Sequence, residues 1–202
     1  MANRIKYNPD VFTSLLFQQD RVDTTPFRQE MIIGNPQAPV RILMAASLSC
    51  GPCRDGFNQT SDLVSIYPEK VSLLLRFGES GEEKDDTNIL SNSNYMIAYW
   101  QKHIQGLPDE SDQTEQLLFN WYNKSDMDLE LFKQQYPMAQ VQKKFGLTSK
   151  HSQWMNKAGI KATPTFYING YKLPREYQIE DLMGMIPSLA EEFVQEKMLN
   201  KK

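Results

Sequence analysis

Ser49-Cys50-Gly51-Pro52-Cys53-Arg54 follows, after Ser47 and Leu48, the apolar run Val40-Arg41-Ile42-Leu43-Met44-Ala45-Ala46. The run reads as a strand, and the residues after Pro52 read as a helix, so the junction sets two cysteines at the start of a helix. Proline suits that place because the N–H it lacks would be unpaired there anyway and its fixed φ is already helical. Cys50 then lies just before the first turn, where unpaired N–H groups and the positive end of the helix dipole favour a thiolate. Cys53, one turn on, is within reach of Cys50 and expected to be more buried. Thiolate is the reactive form, so Cys50 is assigned as the attacking sulfur and Cys53 as the one that resolves a mixed disulfide, with Gly51 and Pro52 supporting them.

These are the only two cysteines in 202 residues, and three other uses of such a pair compete with redox chemistry. A structural zinc site needs four ligands, and only His103 and His151 remain as nitrogen donors, neither at ligand-like spacing. No metal is therefore expected. An inert disulfide would close a very small, strained and reducible loop. Two thiolates also suit Cu(I) in a metallochaperone. A strand before the pair and a helix after it favour redox chemistry.

Lys161-Ala162-Thr163-Pro164-Thr165-Phe166-Tyr167-Ile168-Asn169-Gly170-Tyr171 reads as a strand opened by proline, an Asn-Gly turn and the beginning of a partner strand. Together, Cys-Gly-Pro-Cys after one strand and Ala-Thr-Pro-Thr-Phe opening another resemble the thioredoxin superfamily. The resemblance implies a cis Thr163-Pro164 bond beside Cys50, with Thr163 and Pro164 as the edge on which a substrate segment lies. It also implies that the disulfide is itself the redox carrier, with no dissociable cofactor. Gly34-Asn35-Pro36-Gln37-Ala38-Pro39-Val40 before the strand resembles the entry to DsbA-like proteins, which carry a helical insert between the two motifs. The ending Asn169-Gly170-Tyr171-Lys172-Leu173-Pro174 is similar to thioredoxin-like domains associated with bacterial vitamin K epoxide reductase homologues, which makes such a membrane protein a candidate redox partner.

Two departures bear on the chemistry. Proteins of this kind usually place a buried carboxylate six residues before the first cysteine, and Met44 stands there; Ser49 occupies the place where thioredoxins commonly carry tryptophan. The Gly51-Pro52 dipeptide is thioredoxin's own and favours a reductase, whereas the insert favours an oxidase or relay. The expected function is thiol-disulfide exchange on protein thiols and disulfides, more in the oxidising or relaying sense. A disulfide reductase and a non-catalytic chaperone or binding domain are the alternatives.

The chain is long enough for a substantial core, and a single α/β domain over 1–202 is expected, with a central mixed sheet flanked by helices. Residues 1–26 form an N-terminal helical extension, its helix beginning near Asp10. Phe27 to Ile33 reads as a strand ended by Gly34. A helix from Pro52 to Ile66 buries Phe57, Leu63, Val64 and Ile66, and Val71 to Phe77 is a second central strand, parallel to the first. Residues 79–159 form an insert within the domain, helical from about 85 to 159, with helices near Thr87–His103, Glu110–Asn123, Met127–Gln135, Pro137–Phe145 and Ser149–Ala158. Its aromatic residues read mainly as core, a few of them offering an apolar rim near the cysteines. After the hairpin Thr165–Leu173, a final helix starts near Ile179, is broken or reopened at Pro187, and turns Leu189, Phe193 and Val194 inward.

A net charge of −3 gives no basic footprint for nucleic acid. There is no 18-residue apolar run, so no membrane span is expected. The acidic run Glu79 to Asp86 reads as a solvated loop, and both histidines as ordinary helix-surface or core-edge residues. Met1 to Pro9 lacks the apolar segment of a secretory signal, so the chain as written is expected to stay in the cytoplasm, and to be extracytoplasmic (periplasmic) if it is a processed or excised domain. The absence of stray cysteines is compatible with an oxidising compartment.

Overall fold

The structure, a computed structural model, describes residues 5–78, 91–139 and 146–199. Helix α1 (Pro9–Phe17) is capped by Asn8, whose side chain accepts the N–H groups of Asp10 and Val11. β1 (Ile32–Gly34) is shorter than its apolar content suggests. Phe27 to Met31 do not join it, because Gln29 takes a positive φ of 68° and Glu30 turns inward to accept the Phe27 N–H. β2 (Val40–Ala46), α2 (Gly51–Ile66) and β3 (Val71–Phe77) make the central unit. Its two strands pair in parallel, from Val40 opposite Val71 to Ala46 opposite Phe77.

In the region of the insert, α3 (Asn92–His103) and α4 (Glu110–Phe119) are followed by a π turn (Asn120–Lys124), then by α5 (Leu129–Gln135) and α6 (Gly146–Lys157). The expected helix Glu110–Asn123 thus ends early, where the chain widens to an i→i+5 bond from Ser125 N–H to the Asn120 carbonyl. Asp128 caps α5, its side chain accepting the N–H groups of Glu130 and Leu131. Of the expected helix Pro137–Phe145, residues 137–139 are not helical, and the remainder lies outside the described residues, as do Thr87 to Leu90 and the acidic run Glu79 to Asp86.

β4 (Thr165–Ile168) and β5 (Tyr171–Lys172) form the hairpin, and a 3-10 turn (Ile179–Leu182) precedes α7 (Ile186–Leu199). Pro187 therefore sits in the first turn of α7, where its missing N–H costs nothing. The sheet order is β1-β3-β2-β4-β5, with β1, β4 and β5 each antiparallel to its neighbour. This is the mixed, five-stranded α/β architecture of the thioredoxin-like fold.

One face of the sheet carries the main core, which holds Cys53, Phe57 and Leu63 of α2, the aromatic residues Trp100, Trp121, Tyr122 and Phe132, and Phe12 and Leu16 of α1. The other face is covered by α6 through Trp154 and Met155, against Leu43, Leu74 and Tyr167. Two residues expected inside are not: Ile66 is 55% exposed at the end of α2, and Val194 is 40% exposed on α7. His151, expected at a helix surface or core edge, is fully buried on α6. Among the described residues no helix is long and apolar enough to cross a membrane.

Candidate functional site

Cys50 is the N-cap of α2, with extended φ and ψ of −111° and 116°. Its carbonyl accepts the N–H groups of Cys53 at 3.1 Å and Arg54 at 3.3 Å. Gly51 and Pro52 form the first turn. Both cysteines are free thiols, Cys50 half-buried and Cys53 buried. The Cys50 thiol donates to the Thr163 carbonyl at 3.5 Å, so the two motifs meet, and the Thr163-Pro164 peptide bond is cis. Burial pushes the Cys53 thiol up to about 12, and its hydrogen bond with Cys50 acts in the same direction. The Ser47 N–H, which donates to Cys53 Sγ at 3.4 Å, acts the other way.

Beside the pair lies an open cavity of about 490 Å³, lined by Pro52, Gly56, Pro164, Phe166, Leu173 and Tyr177 with Lys172 and Arg175 also on its wall. It runs from the first turn of α2 to the proline that opens β4. A larger cavity, about 800 Å³, lies among Arg21, Arg41, Asn169 and Lys197, at the other end of β2 from the cysteines, so size alone does not mark the chemistry. Among the described residues no group of three His, Cys, Asp or Glu side chains is placed to hold a metal ion. His103 stacks on Tyr99 at 4.5 Å, and His151 bonds Glu30.

Sequence reasoning did not find the residues that hold the loop in front of Cys50. Trp121 Nε1 donates to the Leu48 carbonyl at 2.8 Å, the Tyr122 hydroxyl to the Ser47 carbonyl at 3.3 Å, and Asn92 Nδ2 to Ser49 Oγ at 3.1 Å. All three come from the insert, more than forty residues away in the chain. Their only signal was the aromatic content of that region, which does not say where the side chains point. A face with a half-buried thiol, a buried second thiol and an adjacent cleft is suited to sulfur exchange with an extended chain segment.

A family model described as Thioredoxin matches residues 27–187. No curated protein matches the chain. Among solved structures, ScsC of Proteus mirabilis in a transitional conformation superposes with a TM-score of 0.61 at 14% identity, covering 81% of this chain and 73% of that one. Reduced DsbA1 of Neisseria meningitidis gives 0.54 at 15% identity, over 88% and 100%. The α-DsbA1 of Wolbachia pipientis gives 0.53 at 18% identity, over 86% and 96%. At such identities these likenesses concern the fold.

Proposed function

The chain belongs to the thioredoxin family, and on that premise we propose that it catalyses thiol-disulfide exchange on protein substrates, as an oxidase or redox relay. The observation that carries this is the meeting of the half-buried Cys50 thiol, at the head of α2, with the Thr163 carbonyl from the second motif. Cys50 exchanges with substrate sulfur and Cys53 closes or opens the pair behind it. A substrate segment lies in the cleft between Pro52 and Pro164 and pairs with the Thr163 backbone as an added strand, which gives affinity with little sequence selectivity.

The disulfide Cys50–Cys53 serves as the carrier and no dissociable cofactor takes part. Electrons pass to or from a partner outside this chain, a quinone-linked membrane protein of the vitamin K epoxide reductase type being the class in view. Work in an oxidising, extracytoplasmic compartment fits this direction. The likeness in fold to DsbA1 and ScsC supports it by analogy.

Gly51-Pro52 supports a second direction, that of a disulfide reductase. Equilibration in graded glutathione buffers with trapping of free thiols separates the two. A potential near roughly −120 mV is the oxidase result, and one near roughly −270 mV would reverse the direction. Cys50→Ser is expected to abolish insulin reduction and oxidative refolding. Retention of either activity would remove the exchange reading, and survival of aggregation suppression alone would point to a binding domain.

A further inference from the structure

Ser47 touches both cysteines through its backbone. Its N–H donates to Cys53 Sγ at 3.4 Å, and its carbonyl accepts the Cys50 N–H at 3.3 Å. The same carbonyl accepts the Tyr122 hydroxyl at 3.3 Å. Ser47, Cys53 and Tyr122 are all buried, and the Tyr122 ring packs 5.4 Å from Phe57, one turn beyond Cys53 on α2. Among the described residues, the titratable groups facing Cys53 are Cys50 on its own helix and Tyr122 from the π turn. β2 offers Met44, a thioether that takes up no proton. Burial holds the Tyr122 phenol well above its usual range, so it stays a protonated donor while the cysteines react.

We propose that Tyr122 is a positioning residue for the resolving step, clamping Ser47 so that its N–H stays aimed at the Cys53 sulfur as that sulfur becomes a thiolate. The inference rests on the exchange reading above. In the step, Cys53 gives its proton to solvent and attacks Cys50 of the mixed disulfide. The Cys50–substrate S–S bond breaks, the Cys50–Cys53 bond forms, and the substrate sulfur leaves with the electron pair and takes up a proton. Transfer of a disulfide to a substrate thiol runs through the same step reversed. A fixed N–H dipole that meets the developing charge favours the thiolate in a dry site. In place of a proton-accepting carboxylate, the fold supplies an oriented amide, held by a residue of the insert.

The test is stopped-flow resolution of the mixed disulfide formed with a chromogenic aromatic disulfide, followed by release of the second thiol as a function of pH. Tyr122→Phe keeps the ring and removes the donor. It should slow resolution about fivefold, the worth of one hydrogen bond, and move the pH profile of that step upward. The first attack by Cys50, measured in a Cys53→Ser background, should be unchanged. Trp121→Phe, which releases Leu48 but not Ser47, should leave the pH profile of resolution in place. Equal profiles for wild type and Tyr122→Phe, or equal shifts for both variants, would overturn the proposal. In the wild type, the Ser47 amide proton resonance should titrate together with Cys53. Its indifference to that titration would overturn the proposal without any variant. Absence of exchange by the wild type would instead defeat the functional reading.

Discussion

Glu30, Arg76 and His151 are buried together on the face of the sheet away from α2. Arg76 Nε meets Glu30 Oε1 at 2.7 Å, its guanidinium lies between the rings of Phe27 at 4.2 Å and Trp154 at 4.5 Å, and His151 Nε2 is 3.1 Å from the same carboxylate oxygen. Because the Phe77 N–H donates to His151 Nδ1 at 3.2 Å, the ring proton sits on Nε2 and the imidazole is neutral. Burial holds its pKa below the ordinary value of 6.5, against the pull of Glu30 in the other direction. In the unfolded chain His151 takes up a proton near 6.5 and in the folded chain it does not, so stability falls as pH drops through that value. For Glu30 burial acts upward, but hydrogen bonds from His151 and Arg76 outweigh it, so its contribution is lost at still lower pH. Urea unfolding between pH 7.5 and 5 should therefore show declining stability, and His151→Gln should flatten the upper part of that decline. Arg76→Met should cost about 3–5 kcal/mol by leaving the Glu30 carboxylate unpaired in the core, measurable by the same unfolding titration. In the sequence Arg76 reads as one polar residue in an apolar strand, because its partner stands 46 positions away and His151 lies 121 from Glu30. The cysteines and Pro164 were legible for the opposite reason: each motif is local, and its residue types leave few other uses.

Helices α1 and α2 each carry a contact that can be tested one side chain at a time. Phe12 and Leu16 of α1 are fully buried, with the Phe12 ring edge-on to Tyr177 at 4.8 Å. Past α1, the Val22 N–H pairs with the Gly170 carbonyl at 2.9 Å and the Lys172 N–H with that of Asp20 at 3.2 Å, so the arm covers the open edge of β5. Residues expected as an extension thus take part in the core. Phe12→Ala should cost about 3–5 kcal/mol in unfolding titrations and, because Phe12 backs Tyr177 on the cleft wall, should act on exchange through KM and not through the Cys50 attack rate. On α2, a Cβ at Gly56 would stand 2.7 Å from Phe166 Cζ and 3.5 Å from Met44 Cε. Gly56→Ala gains roughly 1 kcal/mol in helix propensity against roughly 1–3 kcal/mol for overpacking. The expected outcome is a net loss and a displaced Phe166 on the cleft wall, read as a higher KM for a cysteine peptide without a change in the Cys50 attack rate. Helical spacing revealed helices of the insert and the ends at His103 and Gln135, but not the end of α4. The π turn depends on bonds made by Trp121 and Tyr122 to a distant loop, and Ile66 is exposed because α2 ends where the chain turns into β3.

For the molecule as a whole, the direction of exchange is a question of which redox form is the more stable fold. Closing Cys50 to Cys53 stabilises the protein by less, or by more, than closing the same pair in an unfolded chain, and the difference is the shift in reduction potential. Each 30 mV corresponds to about 1.4 kcal/mol, which for a chain of this size moves the melting midpoint by roughly 3–6 °C. The groups whose surroundings change when the pair closes are those that touch the two sulfurs. The difference must then arise at the head of α2, from the Thr163 carbonyl, the Ser47 N–H and the burial of Cys53. In the reduced protein each of these groups has a sulfur partner, and closing the disulfide removes the Cys50 S–H that Thr163 accepts. An oxidase therefore melts higher when reduced than when oxidised, and calorimetry of the two forms in the absence of free thiols is expected to give that order. The reverse order would assign this scaffold to reduction, in agreement with Gly51-Pro52. The strand-helix-strand unit and second motif made the fold class readable from the chain, but this balance depends on a loop, a helix start and an insert that meet only after folding.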